Sequence, residues 1–355
     1  MEHLVFRIGE ILEENHSVEV VGPQRVSPRI AERFPCTAWS DIQPVLLWRL
    51  LCRDPVTRRI VRLISHAKHS KPDALLALGS IGVNGLAVAI AGRIVGVPAI
   101  VRLTSDVFNV YTTKRGWTAK LSLFVRNNIL GRLSMKLADR VLLLHEAQRQ
   151  EITDCGVSSA KIRVVPQPIK FAAQYRSDDK NVRSELEISP EARVILSSMR
   201  LDTDKHIELL VEVINQVLET SENPNCHFII VGDGECRVHV EEATQLHRQH
   251  VHIVGEQPSN NLPSYYRAAD LYLHLSKGEG LSNCLIEALY FQLPVIATDS
   301  GTITRGMIST ILETPSAIIN TILKGDVPVD PLPQALLPND NKTAWLAALK
   351  PPFNH

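Results

Sequence analysis

Short apolar runs alternate with helix-patterned stretches along nearly the whole chain, and this alternation limits the possible folds more than any other feature. VEVVG (18–22), DALLALG (73–79), AIVRL (99–103), RVLLL (140–144) and IRVV (162–165) supply such runs in the first half. VILSS (194–198), HFIIVG (227–232), HIVG (252–255), LYLHL (271–275) and PVIAT (294–298) continue the pattern in the second. A strand that is apolar at consecutive positions is buried on both faces, and helices between such strands argue for parallel sheets covered on each side. Ten strands in 355 residues exceed one domain. The break is expected within VPQPIKFAAQYRSDDKNVRSELEISPEARV (165–194), which holds prolines and then a charged run. The expected organisation is α/β: a Rossmann-like domain over 1–168, a linker over 169–193 and a second Rossmann-like domain over 194–325. Open α/β sheets bind ligands beyond the carboxyl ends of their strands, so two such domains are expected to face one another across a cleft. From Asp326, DVPVDPLPQALLPND is proline-rich without helical period, and 326–355 is expected to be an irregular tail.

Charge and cysteine content exclude several classes. Lys+Arg and Asp+Glu are both 38, so no global excess points to nucleic acid. The six cysteines form no CxxC pair and read as small buried residues in a reducing compartment. No signal peptide is expected, because Glu2, His3 and Arg7 interrupt any apolar stretch. The most apolar window, 83–101, contains Asn84, Arg93 and Pro98 and reads as helix then strand rather than as a membrane span. The expectation is a cytoplasmic protein, or at most one peripheral to the membrane.

Candidate chemistry concentrates in LYLHLSKGEGLSNCLIEALYFQ (271–292). A strand enters a glycine loop, and Ser282 or Asn283 can cap the helix that follows. The free N–H groups at such a helix start, with its dipole, suit a phosphate. Glu287 lies one turn into the helix among Leu285, Ile286, Ala288 and Leu289, and is not the third helical position from either cap. A carboxylate in apolar surroundings needs partners, and a ribose diol offers two hydroxyls. Glu279 in the loop can accept from a sugar ring. The plainer alternative is a solvated Glu279 and a Glu287 bonded to nearby backbone. In SSMRLDTDK (197–205), Arg200 and Lys205 follow a strand and suit a diphosphate, or are two surface cations. VGDGECR (231–237) has Arg237 where GxGxxG needs glycine, so it is no dinucleotide fingerprint. Gly255, beside Glu256, permits close approach of a flat ring or forms an ordinary turn.

Together, VILSSMRLDTDK, HFIIVGDGE, VHIVGEQP and YYRAADLYLHLSKGEGLSNCLIEALYFQLPVIATDSG resemble family 4 of the retaining glycosyltransferases, which have the GT-B fold. The resemblance covers roughly 194–301 and, more loosely, the amino-terminal half. It implies that Glu279 contacts the donor sugar, Glu287 binds the ribose, and Arg200 with Lys205 holds the diphosphate. It further implies that the amides of Gly280, Leu281 and Ser282 meet phosphate, and that Val254–Glu256 lie beside the base. The donor would be a UDP- or GDP-sugar, the acceptor a glycan or a lipid-linked sugar, and no metal or other cofactor would be required. A catalytically inactive relative that binds a nucleotide-sugar or a partner is the alternative, and an epimerase on the same fold a third reading. The sequence departs from the family in five places, one being that the expected glycine turn and closing helices are not recognisable beyond TITRGM (302–307). It opens at the first helix, so a first strand and its glycine loop are expected to be missing. His145 stands where a serine is usual, PQPIKF replaces an asparagine–aspartate turn, and Arg305 stands where glutamate is common.

In the amino-terminal half, Asp106 follows a strand and is placed either to face an acceptor or to cap a helix. KRGWTAKLSLFVRNNILGRLSMK (114–136) joins six cations to an apolar side. It reads as a surface helix packed on its sheet, or as one that rests on an anionic membrane. His247, His250 and His252 lack a metal-binding spacing and read as solvated.

Overall fold

The computed structural model describes residues 2–13, 17–22, 28–38, 55–104, 108, 116–167, 181–203, 205–220 and 225–349. The chain divides into two units, Met1–Pro168 with Ala335–His355, and Ile169–Gln334. Each is an α/β unit built on parallel strands.

In the first unit, β1 (Val20–Gly22) pairs in parallel with β2 (Cys36–Ala38). β3 (Leu75–Ala77), β4 (Ala99–Arg102), β5 (Arg140–Leu143) and β6 (Ile162–Val164) form a parallel sheet in that order. Side chains alternate between the two faces of a strand, and the cores follow that rule. Ile100 and Leu142 join Ile8, Leu12, Val165 and Trp345 on one face. Val101, Val141 and Leu143 join Leu63, Val88, Met135 and Ile152 on the other. The continuous apolar runs therefore reflect burial on both sides. β2 escapes a reading by apolar runs, because CTA is only three residues long and part-exposed. His145 has a local function: its Nδ1 accepts from the Ala147 amide at 3.2 Å. Gln148 Oε1 accepts in turn from the Leu144 amide at 2.9 Å. A histidine thus caps the turn after β5, and burial lowers its pKa.

The end of the chain departs from the expected irregular tail. Residues 325–333 have no regular structure, but Pro338–Ala348 is a helix that belongs to the first unit. Proline opens it, as suits the first helical turn. Trp345 is wholly buried, and its Nε1 donates to the Pro166 carbonyl at 3.0 Å. Asn341 Nδ2 donates to the same carbonyl at 3.2 Å, and Arg140 Nη1 donates to the Ala348 carbonyl at 2.5 Å. Tertiary burial, not sequence periodicity, holds this helix, so no apolar stripe announces it. Beside it, Arg102 is fully buried with none of its three guanidinium nitrogens hydrogen-bonded. Its guanidinium lies 5.3 Å from the centre of the Trp345 ring, and burial lowers its pKa to about 9.

In the second unit, β7 (Arg193–Ser198), β8 (Cys226–Val231), β9 (Val251–Gly255), β10 (Leu271–His274) and β11 (Val295–Ala297) form a parallel sheet. Its order is β11-β10-β7-β8-β9. The chain runs outward from β7 to β9, then crosses back to β10 and runs outward the other way. The strand order reverses between β7 and β10, and the carboxyl ends of those two strands mark the switch point where open sheets bind ligands. Residues 169–180 of the expected linker lie outside the described residues. Val182–Glu185 forms a short helix before β7, capped by Asn181.

Near the amino ends of β8 and β9, His227 is buried and its Nδ1 lies 3.0 Å from His252 Nε2. The His250 ring lies 4.8 Å from that of His227. Two of the three histidines expected to be solvated, His250 and His252, thus join His227 in a partly buried cluster. Burial first, then the neighbouring His250 and His252, lowers His227 to about 4.

Trp345→Ala is expected to lower unfolding stability by about 3–5 kcal/mol, the usual range for deleting a buried aromatic. Arg102→Met should be neutral or stabilising, since it removes a buried charge that has no hydrogen bonds. Urea unfolding of both variants checks this pair. His227 favours its neutral form in the fold, so its contribution is fully present above about pH 6.5. That contribution is lost as pH falls from there through about 4. The urea midpoint of His227→Phe should therefore decline less than that of the parent between pH 7 and 4.5.

Candidate functional site

Two loops leave the switch point of the second unit, one after β7 and one after β10. They are joined main chain to main chain by an antiparallel bridge between Lys205 and Ser276. Further contacts fix the β10 loop. Thr298 Oγ1 accepts from the Ser276 amide at 2.9 Å and donates to the Ser276 carbonyl at 3.0 Å. The Glu279 amide donates to the Ser300 carbonyl at 2.9 Å. Lys277 Nζ donates across to the Thr203 carbonyl at 2.8 Å. β10 is tied to β7 at the same end, because Tyr272 Oη donates to the Ser198 carbonyl at 3.0 Å.

This frame brings Lys205 and Glu279 together. Lys205 is buried, and its Nζ donates to Glu279 Oε1 at 2.9 Å. Glu279 Oε2 lies 3.1 Å from His274 Nε2, an electrostatic contact off the hydrogen-bond line. Both of those atoms are buried without a hydrogen-bond partner. Burial pushes the Glu279 carboxyl up, but His274 and Lys205 outweigh it and hold the group at about 2. Glu279 is therefore anionic at physiological pH.

Glu287 projects from the helix Asn283–Tyr290, whose cap is Ser282 in extended conformation. The wholly buried Tyr266 donates from Oη to Glu287 Oε2 at 2.9 Å, and its ring stacks on Phe291. The Cys284 thiol is pushed up to about 11 by burial and then by Glu287, with Glu279 adding to the effect. The part-buried Cys284 thus feels both carboxylates. Leu281 and Ser282 are buried at the helix start, and Gly280 is half-buried.

The other candidates are placed differently. Arg200 is 71% exposed along its side chain and ion-paired to Asp202, so it does not share the buried Lys205–Glu279 contact. Gly255 adopts φ +72°, and Glu256 beside it is exposed. The glycines of VGDGE have a packing reason. A Cβ on Gly232 would lie 1.9 Å from the Met199 carbonyl oxygen, and one on Gly234 would lie 2.5 Å from that of Leu201. They let the β8 loop press against the segment that carries Arg200. Arg305 is exposed and pairs with Asp299 at 2.5 Å. Asp106 lies outside the described residues. Among the described residues, no group of three His, Cys, Asp or Glu side chains is arranged to hold a metal ion.

Sequence reasoning missed His274, Ser276 and Tyr266. His274 had a usable signal, as an ionisable residue closing the otherwise apolar strand LYLHL. Tyr266 and Ser276 had none, since each acts through a neighbour that only the fold supplies.

Residues 5–168 match the family model "Glycosyl transferase 4-like domain", and residues 178–309 match "Glycosyl transferases group 1". The putative teichuronic acid biosynthesis glycosyltransferase TuaC of Bacillus subtilis is 26% identical over 61% of this chain and 51% of its own length. An Escherichia coli UDP-Gal:alpha-D-GlcNAc-diphosphoundecaprenol alpha-1,3-galactosyltransferase is 26% identical over 61% of this chain and 55% of its own. The chain spans about half the length of these curated relatives. Among solved structures, Anabaena Alr3699/HepE in complex with UDP aligns over 98% of this chain and 90% of its own. Its TM-score is 0.64 at 18% identity, a likeness of fold.

Lys205→Met should strand the part-buried Glu279 carboxylate and lower stability by about 3–5 kcal/mol, the usual cost of removing one partner of a buried pair. Lys205→Met combined with Glu279→Gln should recover most of that loss. Urea unfolding at pH 7 checks both, and independent, additive costs would contradict the pairing.

Proposed function

We infer that this chain, whose two halves both belong to glycosyltransferase domain families, moves a sugar from a UDP-sugar to an acceptor hydroxyl with retention of anomeric configuration. The acceptor is a glycan or a lipid-linked sugar. The observation that carries the reading is Glu279: an anionic carboxylate fixed at the switch point, with a buried lysine on Oε1 and His274 beside Oε2. A carboxyl held at about 2 cannot serve as a general acid near neutrality. It can accept from the hydroxyls of a bound sugar and fix the orientation of the ring.

The other parts follow from charge and reach. Lys205 Nζ meets the diphosphate as a point charge, and the amides at the start of Asn283–Tyr290 add aligned donors. Arg200 adds a second cation. Its exposed pair with Asp202 is worth about 0–1 kcal/mol, so a diphosphate can recruit it at small cost. Glu287, steadied by Tyr266, takes the ribose hydroxyls. Val254–Glu256 lie beside the base.

The sugar C1–O bond breaks with its electron pair passing to the diphosphate. Retention needs the acceptor oxygen to bond C1 on the face the diphosphate leaves, and its proton then passes to a diphosphate oxygen. Stabilising that departing charge is the main catalytic task, which preorganised cations and amides perform. These groups supply the countercharge themselves, so the reaction runs without a divalent metal, and chelation leaves the rate unchanged. The reading sets the protein in the cytoplasm, where nucleotide-sugars are made. No helix among the described residues is long and apolar enough to cross a membrane.

Glu287→Ala should weaken UDP binding by about 10- to 100-fold, the value of hydrogen bonds to a charged group. Glu279→Gln should leave UDP affinity within a few-fold and slow UDP release from the UDP-sugar in the presence of acceptor. Calorimetry and a coupled UDP assay test both. Equal UDP affinity in the parent and Glu287→Ala would refute the ribose assignment. UDP-sugar binding without turnover on any acceptor would refute the transfer.

A further inference from the structure

In the first unit, the helix Trp117–Phe124 buries none of its residues, although five of the eight are apolar. Trp117 is 75% exposed, Leu121 51% and Phe124 39%. Their spacing of i, i+4 and i+7 sets them on one face of the helix. The helix continues through the π-helical turn Val125–Leu130 and the helix Gly131–Leu137, where Ile129 and Leu133 are also exposed. Scattered exposed apolar residues are ordinary, but a continuous stripe headed by a tryptophan is not.

The stripe is rigidly mounted. Met135 and Ser134 are fully buried, and Met135 belongs to the core under the sheet. A Cβ on Gly131 would meet the Ile81 side chain at 2.6 Å, and one on Gly82 would meet the Arg126 carbonyl oxygen at 1.7 Å. The carboxyl half is thus pressed against Ile81–Gly85, while the amino half carries Trp117, Leu121 and Phe124 outward.

Charge selects the partner. Residues 107–138 contain no Asp or Glu and six cations, in a chain that carries 38 of each charge overall. Of these six, Lys120, Arg132 and Lys136 are exposed along the same helical stretch. Arg126 instead turns inward, with Nη2 donating to Ser80 Oγ at 3.3 Å. Bulky apolar side chains flanked by lysine and arginine, on an exposed helix, suit a soft apolar layer rimmed with anions. We propose that the face carrying Trp117, Leu121, Phe124, Lys120 and Arg132 docks on a lipid bilayer bearing anionic headgroups. The inference rests on this unit alone. With the lipid-linked acceptor proposed above, it explains how a chain that binds a water-soluble donor would reach an acceptor held in a membrane.

Vesicle co-sedimentation of the full chain tests the proposal, using phosphatidylcholine alone and phosphatidylcholine with about one-third phosphatidylglycerol. The expected result is at least tenfold stronger binding to the anionic vesicles, weakened by 0.5 M salt. The triple variant Trp117→Ser/Leu121→Ser/Phe124→Ser should bind at least tenfold less while keeping its Tm and its UDP affinity, because these side chains are exposed. Binding to neither vesicle, equal binding to both, or binding unchanged in the triple variant would overturn the proposal. So would a concentration-dependent dimer that the triple variant disperses, since the face would then belong to a second copy. UDP affinity is read in the same preparations. Lost vesicle binding with intact UDP binding rejects this inference alone, and absent UDP binding in the parent rejects the functional reading instead.

Discussion

Lys205 and Glu279 are 74 residues apart in the chain and meet at 2.9 Å, because β7 and β10 are neighbours in the sheet. That contact organises the candidate site. Taking two charges out of water costs several kcal/mol per ion, and only good geometry with supporting hydrogen bonds offsets it. The supporting bonds are visible: a main-chain bridge between the two loops, Thr298 on both polar groups of Ser276, and Ser300 on the Glu279 amide. Each holds the backbone, so that the side chains need not search for one another. The loop between His274 and the helix Asn283–Tyr290 therefore has little freedom, and Glu287 inherits its position from it.

The same rule of burial builds both units, and it was legible in the sequence to the extent that burial is two-sided. Each of the ten apolar runs coincides with a strand, and the strands β4, β5, β7, β8, β10 and β11, covered on both faces, leave no polar alternation to confuse the pattern. What the pattern could not carry was structure stabilised from outside the segment. β2 is three residues long and depends on β1 for its hydrogen bonds. The helix Pro338–Ala348 depends on Trp345 finding the Pro166 carbonyl and the face of β4 and β5, more than 170 residues away in the chain. Neither dependence leaves a local trace.

The site shows the same division. Glu279 and Glu287 could be singled out because a glycine loop and an apolar helix make a carboxylate conspicuous. Lys205 and Arg200 are indistinguishable in sequence, two cations on one loop, yet one is buried against Glu279 and the other is exposed on Asp202. The difference comes from the bridge to Ser276, which draws Lys205 in, and from Asp202, which holds Arg200 locally. His274 shows the converse. Its position in a buried strand marked it as unusual, but only the folded loop brings Glu279 back over it.

The Lys205–Glu279 pair also bears on the order of events if a diphosphate binds here. With Lys205 committed to Oε1, Glu279 has a second oxygen that is buried beside His274 without a hydrogen bond. A diphosphate carries more negative charge than one carboxylate and would compete for the same ammonium. As Lys205 turns toward phosphate, Oε1 loses its partner, and a buried carboxylate left half-paired needs new donors. The hydroxyls of the attached sugar are the donors that arrive with the diphosphate. Donor binding thus exchanges one ion pair for two ligand contacts, and a bare nucleotide, lacking the sugar, completes only half of the exchange. If the donor binds in this way, the pair would favour the intact nucleotide-sugar over its own product, and release of the nucleotide would restore the lysine to its carboxylate.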